Sequence, residues 1–353
     1  MEQYRIQRDN GLEFGLYTLG DHMPNPHTGD RISAKQRIDE IIRLAQLAEQ
    51  AGMDFFSVGE SHQEYFVTQA HAVVLAAIAQ ATNTMKIGSS STIVSTSDPV
   101  RVYENFATID LISGGRAEIV AGRASRIGLF ELLGYDIRYY EELYEEKFDL
   151  LLQINDKERI TWAGDFRAPL RDAEVLPRPV NGKLPIWRAV GGPPASAVKA
   201  GAAGVPMMLA MLGGQAVNFQ YSVEAYRQSA RQAGHNPDEL PIATAGMFFT
   251  APTSQEAIDT YHTYVDKGMM KSNGRGYPKF AFEQSAQDPK DVLNVGSPQQ
   301  VIEKILYQHE LFGHQRYIAQ MDFGGVPFED LERNIELIGS EILPAVKKYT
   351  KKA

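Results

Sequence analysis

Strand-like and helix-like segments alternate eight times along this chain, and this alternation limits the folds open to it. Runs rich in β-branched and aromatic residues are followed by longer segments with apolar residues at helical spacing. The predicted strands are residues 13–19, 54–58, 85–95, 116–121, 184–190, 205–211, 241–250 and 316–322. Eight such units match a closed (β/α)8 barrel, and the alternative is an open doubly wound sheet. Because no G-x-G-x-x-G motif follows the first strand, we predict an α/β fold built as a (β/α)8 TIM barrel.

Two segments interrupt the alternation, one after the fourth strand and one after the seventh. Residues 156–180 are rich in Arg, Pro and Gly and contain two short β-like pieces, so we predict a hairpin there. Residues 268–296 are irregular, and we predict a mobile loop over the site, with a static excursion as the alternative. We expect residues 1–353 to form a single domain with these two insertions.

The composition excludes several kinds of chemistry. The 353 residues include no cysteine, which excludes disulfides, thiol nucleophiles, Cys-ligated zinc and iron–sulfur clusters. A net charge of −9 argues against nonspecific binding to nucleic acid. No apolar stretch approaches the length that spans a bilayer, and the first ten residues lack an apolar signal region. We therefore expect a cytoplasmic protein with neither nucleic acid nor membrane as a partner.

In a barrel of this kind, functional residues lie where strands end and loops begin. Gly191 and Gly192 follow the fifth strand and precede a helix, a pattern typical of a phosphate site built from backbone N–H groups and a helix N-terminus. Arg123 follows the fourth strand and could donate to the same phosphate. A tight turn and a surface arginine are the alternative interpretation of these two features.

Glu60 and His62 follow the second strand and are two residues apart, so alternation places both on one side. The pair is typical of acid–base catalysis, or of a structural hydrogen bond. His22 and His27 lie in a Pro/Gly-rich loop, and no H-x-H or H-E-x-x-H spacing occurs, so we predict no metal site.

Five segments of the chain resemble the bacterial luciferase-like monooxygenases. The likeness extends from residue 13 to about residue 346 and is most specific between the third and fourth strands. The segments are GESHQEYF, KIGSSSTIVSTSDPVRVYENFATIDLISGGRAEIVAGR, PIWRAVGG, NVGSPQQVIEKI and QMDFGGVPFEDLERNIELIGSEILP. The resemblance implies a barrel that binds FMN at the carboxyl ends of its strands and oxidises a small, apolar organic substrate with reduced FMN and O2. It also implies a separate NAD(P)H:flavin reductase.

The resemblance also assigns roles to individual residues. It implies that Arg123, Gly191, Gly192 and Ser196 bind the FMN phosphate. It further implies a non-proline cis peptide at Ser90–Ser91, packed against the flavin ring.

Two positions depart from the pattern of true luciferases. Ser61 replaces the histidine that is catalytic in them, so His62, with Glu60, is the candidate acid–base group. Gly122 replaces a reactive cysteine. Both departures argue against light emission. A deazaflavin-dependent hydride transfer and a non-catalytic FMN-binding role are the alternatives, and a metal-dependent hydrolase is disfavoured by the absent ligand spacing.

Two further expectations concern the partner and the substrate. The helix predicted at 68–82 is apolar around most of its circumference, so we expect a homodimer that covers its outer face, or else cover from the chain's own loops. We expect Tyr17, Phe248 and Phe323 to form an apolar wall of the substrate pocket.

Overall fold

The computed structural model describes residues 1–124, 128–191 and 193–351. The strands in chain order are β1 (Glu13–Thr18), β2 (Phe55–Val58), β3 (Lys86–Ser89), β4 (Thr92–Ile93), β5 (Ala117–Gly122), β6 (Arg159–Trp162), β7 (Leu170–Glu174), β8 (Ile186–Val190), β9 (Met207–Met211), β10 (Ile242–Thr250), β11 (Asn294–Gly296) and β12 (Arg316–Gln320). The helices are α1 (Ala34–Gln50), α2 (His71–Ala81), α3 (Pro99–Ser113), α4 (Gly128–Leu132), α5 (Tyr140–Asp156), α6 (Pro194–Ala202), α7 (Val217–Gln232), α8 (Ser254–Asn273), α9 (Lys279–Gln287), α10 (Pro298–Phe312), α11 (Phe328–Leu337) and α12 (Leu343–Thr350).

Eight parallel strands close into a barrel in the order β1, β2, β3, β5, β8, β9, β10 and β12. Closure occurs where the first and last of these strands pair, with Glu13 opposite Arg316 and Leu16 opposite Ala319. Strand β10 also pairs with β9, which completes the ring. The predicted (β/α)8 TIM barrel is therefore confirmed.

Side-chain caps and glycines fix where several helices begin and end. The Ser33 hydroxyl accepts a hydrogen bond from the Gln36 N–H at 3.1 Å and starts α1. The Asp98 carboxylate accepts from the Val100 N–H at 2.8 Å, and Pro99 occupies the first turn of α3. Gly114 ends α3 in the left-handed conformation. The two N-caps therefore end the loops that lead from β1 to α1 and from β4 to α3, whereas Gly114 begins the turn from α3 to β5.

The two predicted insertions differ in structure. Strands β6 and β7 form an antiparallel pair inside the segment 156–180 that was predicted as a hairpin. The segment 268–296 is not the irregular loop we expected, because α8 continues to Asn273 and α9 and β11 occupy much of the remainder. Helix α9 is held by a residue of α10, because the buried Lys304 ammonium donates to the carbonyl oxygens of Ser285 and Ala286, each at 3.0 Å. The mobility of this segment stays a prediction.

A buried ionic cluster fills the amino-terminal end of the barrel. Arg316 donates to both carboxylate oxygens of Glu118, at 2.8 and 3.1 Å, and to Glu13 at 2.8 Å. Trp187 donates its indole N–H to Glu118 at 2.9 Å. Burial alone would raise the pKa of Glu118, but the Arg316 guanidinium lowers it below the usual value.

Among the described helices, none combines the length and the apolar character needed to cross a membrane.

Candidate active site at the barrel mouth

We call the end of the barrel at which the parallel strands end and the following loops begin the barrel mouth. In β1, β8 and β9 every residue is buried except the next-to-last, which is partly exposed. These three residues are Tyr17, Ala189 and Ala210. Since two of the three are alanines, their side chains add little bulk at this end of β8 and β9.

The expectation that Phe248 forms part of an apolar wall of the substrate pocket is wrong. This ring is fully buried and packs beside Phe14 and Tyr317, with centroid distances of 5.9 and 6.5 Å. Tyr17 does face the mouth, but its hydroxyl donates to Gln320 Oε1 at 2.8 Å. The side of the mouth formed by β1 and β12 therefore carries a hydrogen-bonded polar pair.

The predicted cis peptide lies between β3 and β4. The Ser90–Ser91 bond is cis and not prolyl, and it interrupts the segment 85–95 that we predicted as one strand. The Ser57 and Ser90 hydroxyls are 2.7 Å apart. The Ser91 carbonyl accepts from the Glu60 N–H at 3.0 Å, so the peptide is tied to the loop that carries the acid–base candidates.

Close packing around this peptide explains the glycine that departs from luciferases. A Cβ atom on Gly122 would lie 2.0 Å from Ser91 Oγ, and one on Gly59 would lie 2.3 Å from the Ser90 carbonyl oxygen. Both distances are well below van der Waals contact. A cysteine at position 122 is therefore incompatible with Ser91 in this position.

Glu60 and His62 form a direct pair, as the spacing predicted. His62 Nε2 lies 2.7 Å from Glu60 Oε1. The other carboxylate oxygen, Oε2, accepts from the Ile93 N–H at 2.8 Å, which fixes the orientation of the carboxylate. Both side chains are largely buried, with exposed fractions of 12% for His62 and 6% for Glu60. The imidazole is therefore held with its other nitrogen, Nδ1, uninvolved in this pair.

Arginine side chains converge on Ser196, in an arrangement that we call the phosphate cradle. Arg123 Nη2 donates to Ser196 Oγ at 2.9 Å, and Arg188 Nε lies 3.3 Å from the same oxygen. Both guanidinium groups lie over the Tyr144 ring, 4.9 and 4.8 Å from its centroid. Burial raises the pKa of the Tyr144 hydroxyl above its usual value, so the ring stays neutral between the two cations.

Acidic residues of α5 and a lysine of α6 complete the charges around the cradle. Glu141 pairs with Arg123, while Glu145 pairs with Arg188 at 2.6 Å and with Lys199 at 2.8 Å. Burial opposes ionisation of Glu145, but the hydrogen bonds from Arg188 and Lys199 hold its pKa below the usual value. The three cationic side chains outnumber these two carboxylates, so the group carries a net charge of about +1, which favours the binding of an anion.

The glycines of the predicted phosphate loop are only partly described. Gly191 is exposed, and an added Cβ would meet nothing within 4 Å, so the backbone there is open. Gly192 lies outside the described residues. Helix α6 begins at Pro194, two residues before Ser196. Arg123 and Ser196 are thus brought together as predicted, whereas the places of Arg188 and Tyr144 in the phosphate cradle were not predicted.

The pattern of helix α5 carried a sequence signal for Tyr144 but not for its position. Residues 138–154 form one helix that is rich in aromatic and charged residues, but the sequence does not tell which strand end such a helix covers.

Among the described residues, no group of three or more His, Asp or Glu side chains is placed to hold a metal ion. His22 instead bonds the Ile32 carbonyl oxygen through Nε2 at 2.7 Å.

A family model described as luciferase-like monooxygenase matches residues 12–315, and the chain belongs to this family of oxidoreductases. The predicted family is therefore confirmed. The relatives include enzymes that use different cofactors, as two examples show.

The F420-dependent glucose-6-phosphate dehydrogenase of Mycolicibacterium fortuitum is 25% identical, over 91% of this chain and 98% of the relative. The oxygenase component of the flavin-dependent trigonelline monooxygenase of Acinetobacter baylyi is 22% identical, over 95% of each chain. Among solved structures, the monooxygenase RslO1 from Streptomyces bottropensis superposes with a TM-score of 0.82 at 24% identity, covering 94% of this chain and 99% of that one.

Proposed function

We propose that this protein is a flavin-dependent monooxygenase that uses reduced FMN and O2 to oxidise a small organic substrate. The convergence of Arg123 and Arg188 on Ser196 supports this proposal most directly, because it presents fixed donors and net positive charge at the mouth. A single terminal phosphate, such as that of FMN, matches these donors and this charge. The flavin-dependent oxygenase among the relatives favours the same activity.

The residues around the mouth fit the cofactor. The open backbone at Gly191 leaves space beside Ser196 for phosphate oxygens. The Ser90–Ser91 peptide, between the cradle and the Tyr17 side, would lie against the flavin ring. When bound, the reduced flavin supplies the electrons that activate O2.

The remaining chemistry belongs to the chain itself. Arg123 and Ser196 anchor the phosphate and so position the ring over the mouth. Glu60 holds His62 through Nε2, which leaves Nδ1 to exchange a proton with a substrate or with a water in the mouth. The Tyr17–Gln320 pair orients a polar group of the substrate at the opposite side.

The relatives also support hydride transfer with the deazaflavin F420 as a second candidate. The dehydrogenase from Mycolicibacterium fortuitum matches nearly the whole chain at an identity similar to that of the oxygenase. A phosphate cradle serves either cofactor, so the geometry of Arg123 and Ser196 does not separate them.

Titration of the purified protein with reduced FMN, and separately with F420, tests the assignment. We expect FMN to bind and the bound, reduced form to consume O2 in the presence of a substrate, with NAD(P)H and a flavin reductase as the source of electrons. Binding of F420 without binding of reduced FMN would replace the monooxygenase with a hydride-transfer enzyme. Failure of both to bind would overturn both proposals.

We also propose a homodimer through the outer face of α2. This face carries Val73, which is 70% exposed, and the small residue Ala77. The neighbouring α3 exposes Leu111 and Ile112.

A further inference from the structure

A second histidine lies behind the Glu60–His62 pair, on the side away from the mouth. His71 is the first residue of α2, and its Nδ1 lies 3.8 Å from Glu60 Oε2. Its Nε2 is 2.8 Å from the Thr92 hydroxyl oxygen. The side chain of His71 is 8% exposed, so three titratable groups stand in a buried row from His62 through Glu60 to His71.

This row ends at a groove on the outside of the barrel. The groove has a volume of about 630 Å³ and is bordered by the first turns of α2 and α3. Glu60, His71 and Thr92 all line it. Glu60 therefore forms part of the wall between the groove and the pair with His62.

We propose that Glu60 and His71 form a route by which a proton passes between His62 and water in the groove. This inference rests on the proposed function, in which His62 exchanges protons at the mouth. Water in the groove serves as acceptor whether the groove is open or enclosed by a second subunit.

The transfer balances as the movement of one proton. His62 Nε2 gives its proton to Glu60 Oε1, which neutralises the carboxylate and weakens the hydrogen bond that Oε2 accepts from the Ile93 N–H. The carboxyl group then makes a half-turn about its Cγ–Cδ bond and presents the proton to His71 Nδ1. Because the nearer carboxylate oxygen, Oε2, lies 3.8 Å from His71 Nδ1, the imidazole must also move by about 1 Å to reach hydrogen-bond distance. His71 then releases its Nε2 proton toward Thr92 and the groove water, and Glu60 returns to the carboxylate. Thr92 suits this role because a hydroxyl both donates and accepts.

The surrounding charges are consistent with a neutral resting His71. Burial lowers its pKa, the Glu60 carboxylate opposes this, and His62 lowers it further. The groove contributes charges that are already paired, Arg101 with Glu104 at 2.8 Å and Arg167 with Asp98 at 3.3 Å. Besides burial, the described groups therefore leave Glu60 and His62 as the main charged influences on the pKa of His71.

Histidine NMR titration of the protein without cofactor tests the coupling directly. We expect the titration midpoint of His71 to rise in His62→Gln and to fall in Glu60→Gln, because each substitution removes one of the two influences. His262, whose Nε2 bonds the Tyr277 carbonyl oxygen at 2.7 Å, is the internal control and should not move. A His71 midpoint that is unchanged in both variants would overturn the route.

Chemical rescue tests whether His71 carries the proton or only packs. We expect His71→Ala to slow the proton-dependent step about 10-fold or more. Added imidazole, which enters through the groove, should restore the rate and the wild-type pH profile. A slow variant that imidazole does not rescue would show a packing role and overturn the proposal.

A second variant tests the route if His71→Ala does not fold. Thr92→Val removes only the hydroxyl beside His71 Nε2 and should slow the same step. An unchanged rate would contradict the route. Because the titration uses the protein without cofactor, a failure of the FMN assignment leaves its result intact.

Discussion

Ser196 is the residue on which the cofactor assignment depends, because two guanidinium groups from different strands meet at its hydroxyl. Arg123 follows β5 and Arg188 lies within β8, and these strands are neighbours in the barrel. The Tyr144 ring beneath both arginines restricts their rotamers, so little conformational entropy is lost when a phosphate binds.

Arg123→Met should therefore weaken FMN binding about 10- to 100-fold, because a charge-assisted hydrogen bond contributes about 1.5–3 kcal/mol. The measurement is fluorescence titration with FMN and with riboflavin, which lacks the phosphate. We expect the riboflavin affinity to stay unchanged. Arg333→Met, which removes an exposed arginine that pairs with Asp330, is the matched control. An equal loss for both ligands would contradict a phosphate role.

Gly122 illustrates what the sequence can and cannot tell at this scale. The residue type is visible in the sequence, and the resemblance marks the position as a departure from luciferases. Its cause is visible only in three dimensions, since Ser91 Oγ occupies the space of a Cβ on residue 122. Glu60 and His62, by contrast, were predictable as a pair because they are two residues apart.

At the scale of elements, the loops after β1 and β12 are joined through buried acids. Asp21 Oδ1 and Oδ2 accept hydrogen bonds from the N–H groups of Gly325 and Gly324, at 3.0 and 3.1 Å. Arg37 of α1 donates to Asp322 at 2.6 Å. Both aspartates are almost fully buried, so their charges repel each other with little screening.

This cluster predicts a pH dependence of stability. Burial, with the charge of Asp322, raises the pKa of Asp21 to about 7 from its usual 3.8. Between these values the folded state keeps a proton that the unfolded chain releases, so stability falls as pH rises through this window. We expect a loss on the order of a few kcal/mol between pH 4 and pH 8, measured as the free energy of unfolding in urea.

Asp322→Asn should flatten this decline, because it removes the neighbouring charge that raises the pKa of Asp21. The control is Asp39→Asn, which alters an exposed pair with Lys35 and should leave the slope unchanged. The slopes are compared rather than the absolute stabilities, since the variant also loses the pair with Arg37. An unaltered slope in Asp322→Asn would contradict the coupling of the two aspartates.

Helix α5 shows why elements are easier to predict than their placement. Its length and amphipathic character are readable from residues 138–154. The contacts that matter, Glu145 with Arg188 and the Tyr144 ring under Arg123, join residues 43 and 21 positions apart on different layers. The segment 268–296 was misread for a related reason, since the buried contacts of α9 with Lys304 stabilise a helix that its own sequence does not signal.

At the scale of the whole molecule, ion pairs join β1 and β12, or the segments that flank them, at both ends of the barrel. Glu13 pairs with Arg316 at the amino-terminal end, and Arg37 pairs with Asp322 at the barrel mouth. The Leu12 N–H also donates to Thr350 Oγ1 at 2.7 Å, which ties α12 to the chain before β1. Eight regular units were enough to predict the barrel, but these pairs between distant parts of the chain were not predictable from local pattern.

The proposed dimer is the prediction that belongs to the whole molecule. Helix α2 buries Val74, Leu75 and Ile78 against the barrel, and its opposite side exposes Val73 and Ala77 where an outer helix usually carries charge. Stable dimers bury about 1,600 Å² in total, so the interface must extend onto neighbouring surface such as α3. A charge placed at its centre would be desolvated without a partner.

Val73→Glu should therefore shift the protein from dimer to monomer in light scattering coupled to size-exclusion chromatography. Tyr349→Glu, at an exposed aromatic residue of α12, is the control and should leave the mass unchanged. A wild-type chain that elutes as a monomer at every concentration would refute the dimer, and a Val73→Glu variant that stays dimeric would move the interface elsewhere. Because Val73 also lines the groove of the proposed proton route, a glutamate there would itself raise the His71 midpoint. The shift that Glu60→Gln causes is therefore compared between the wild-type protein and the Val73→Glu variant. The route requires only water in the groove, so the coupling of His71 to Glu60 should survive the loss of the dimer.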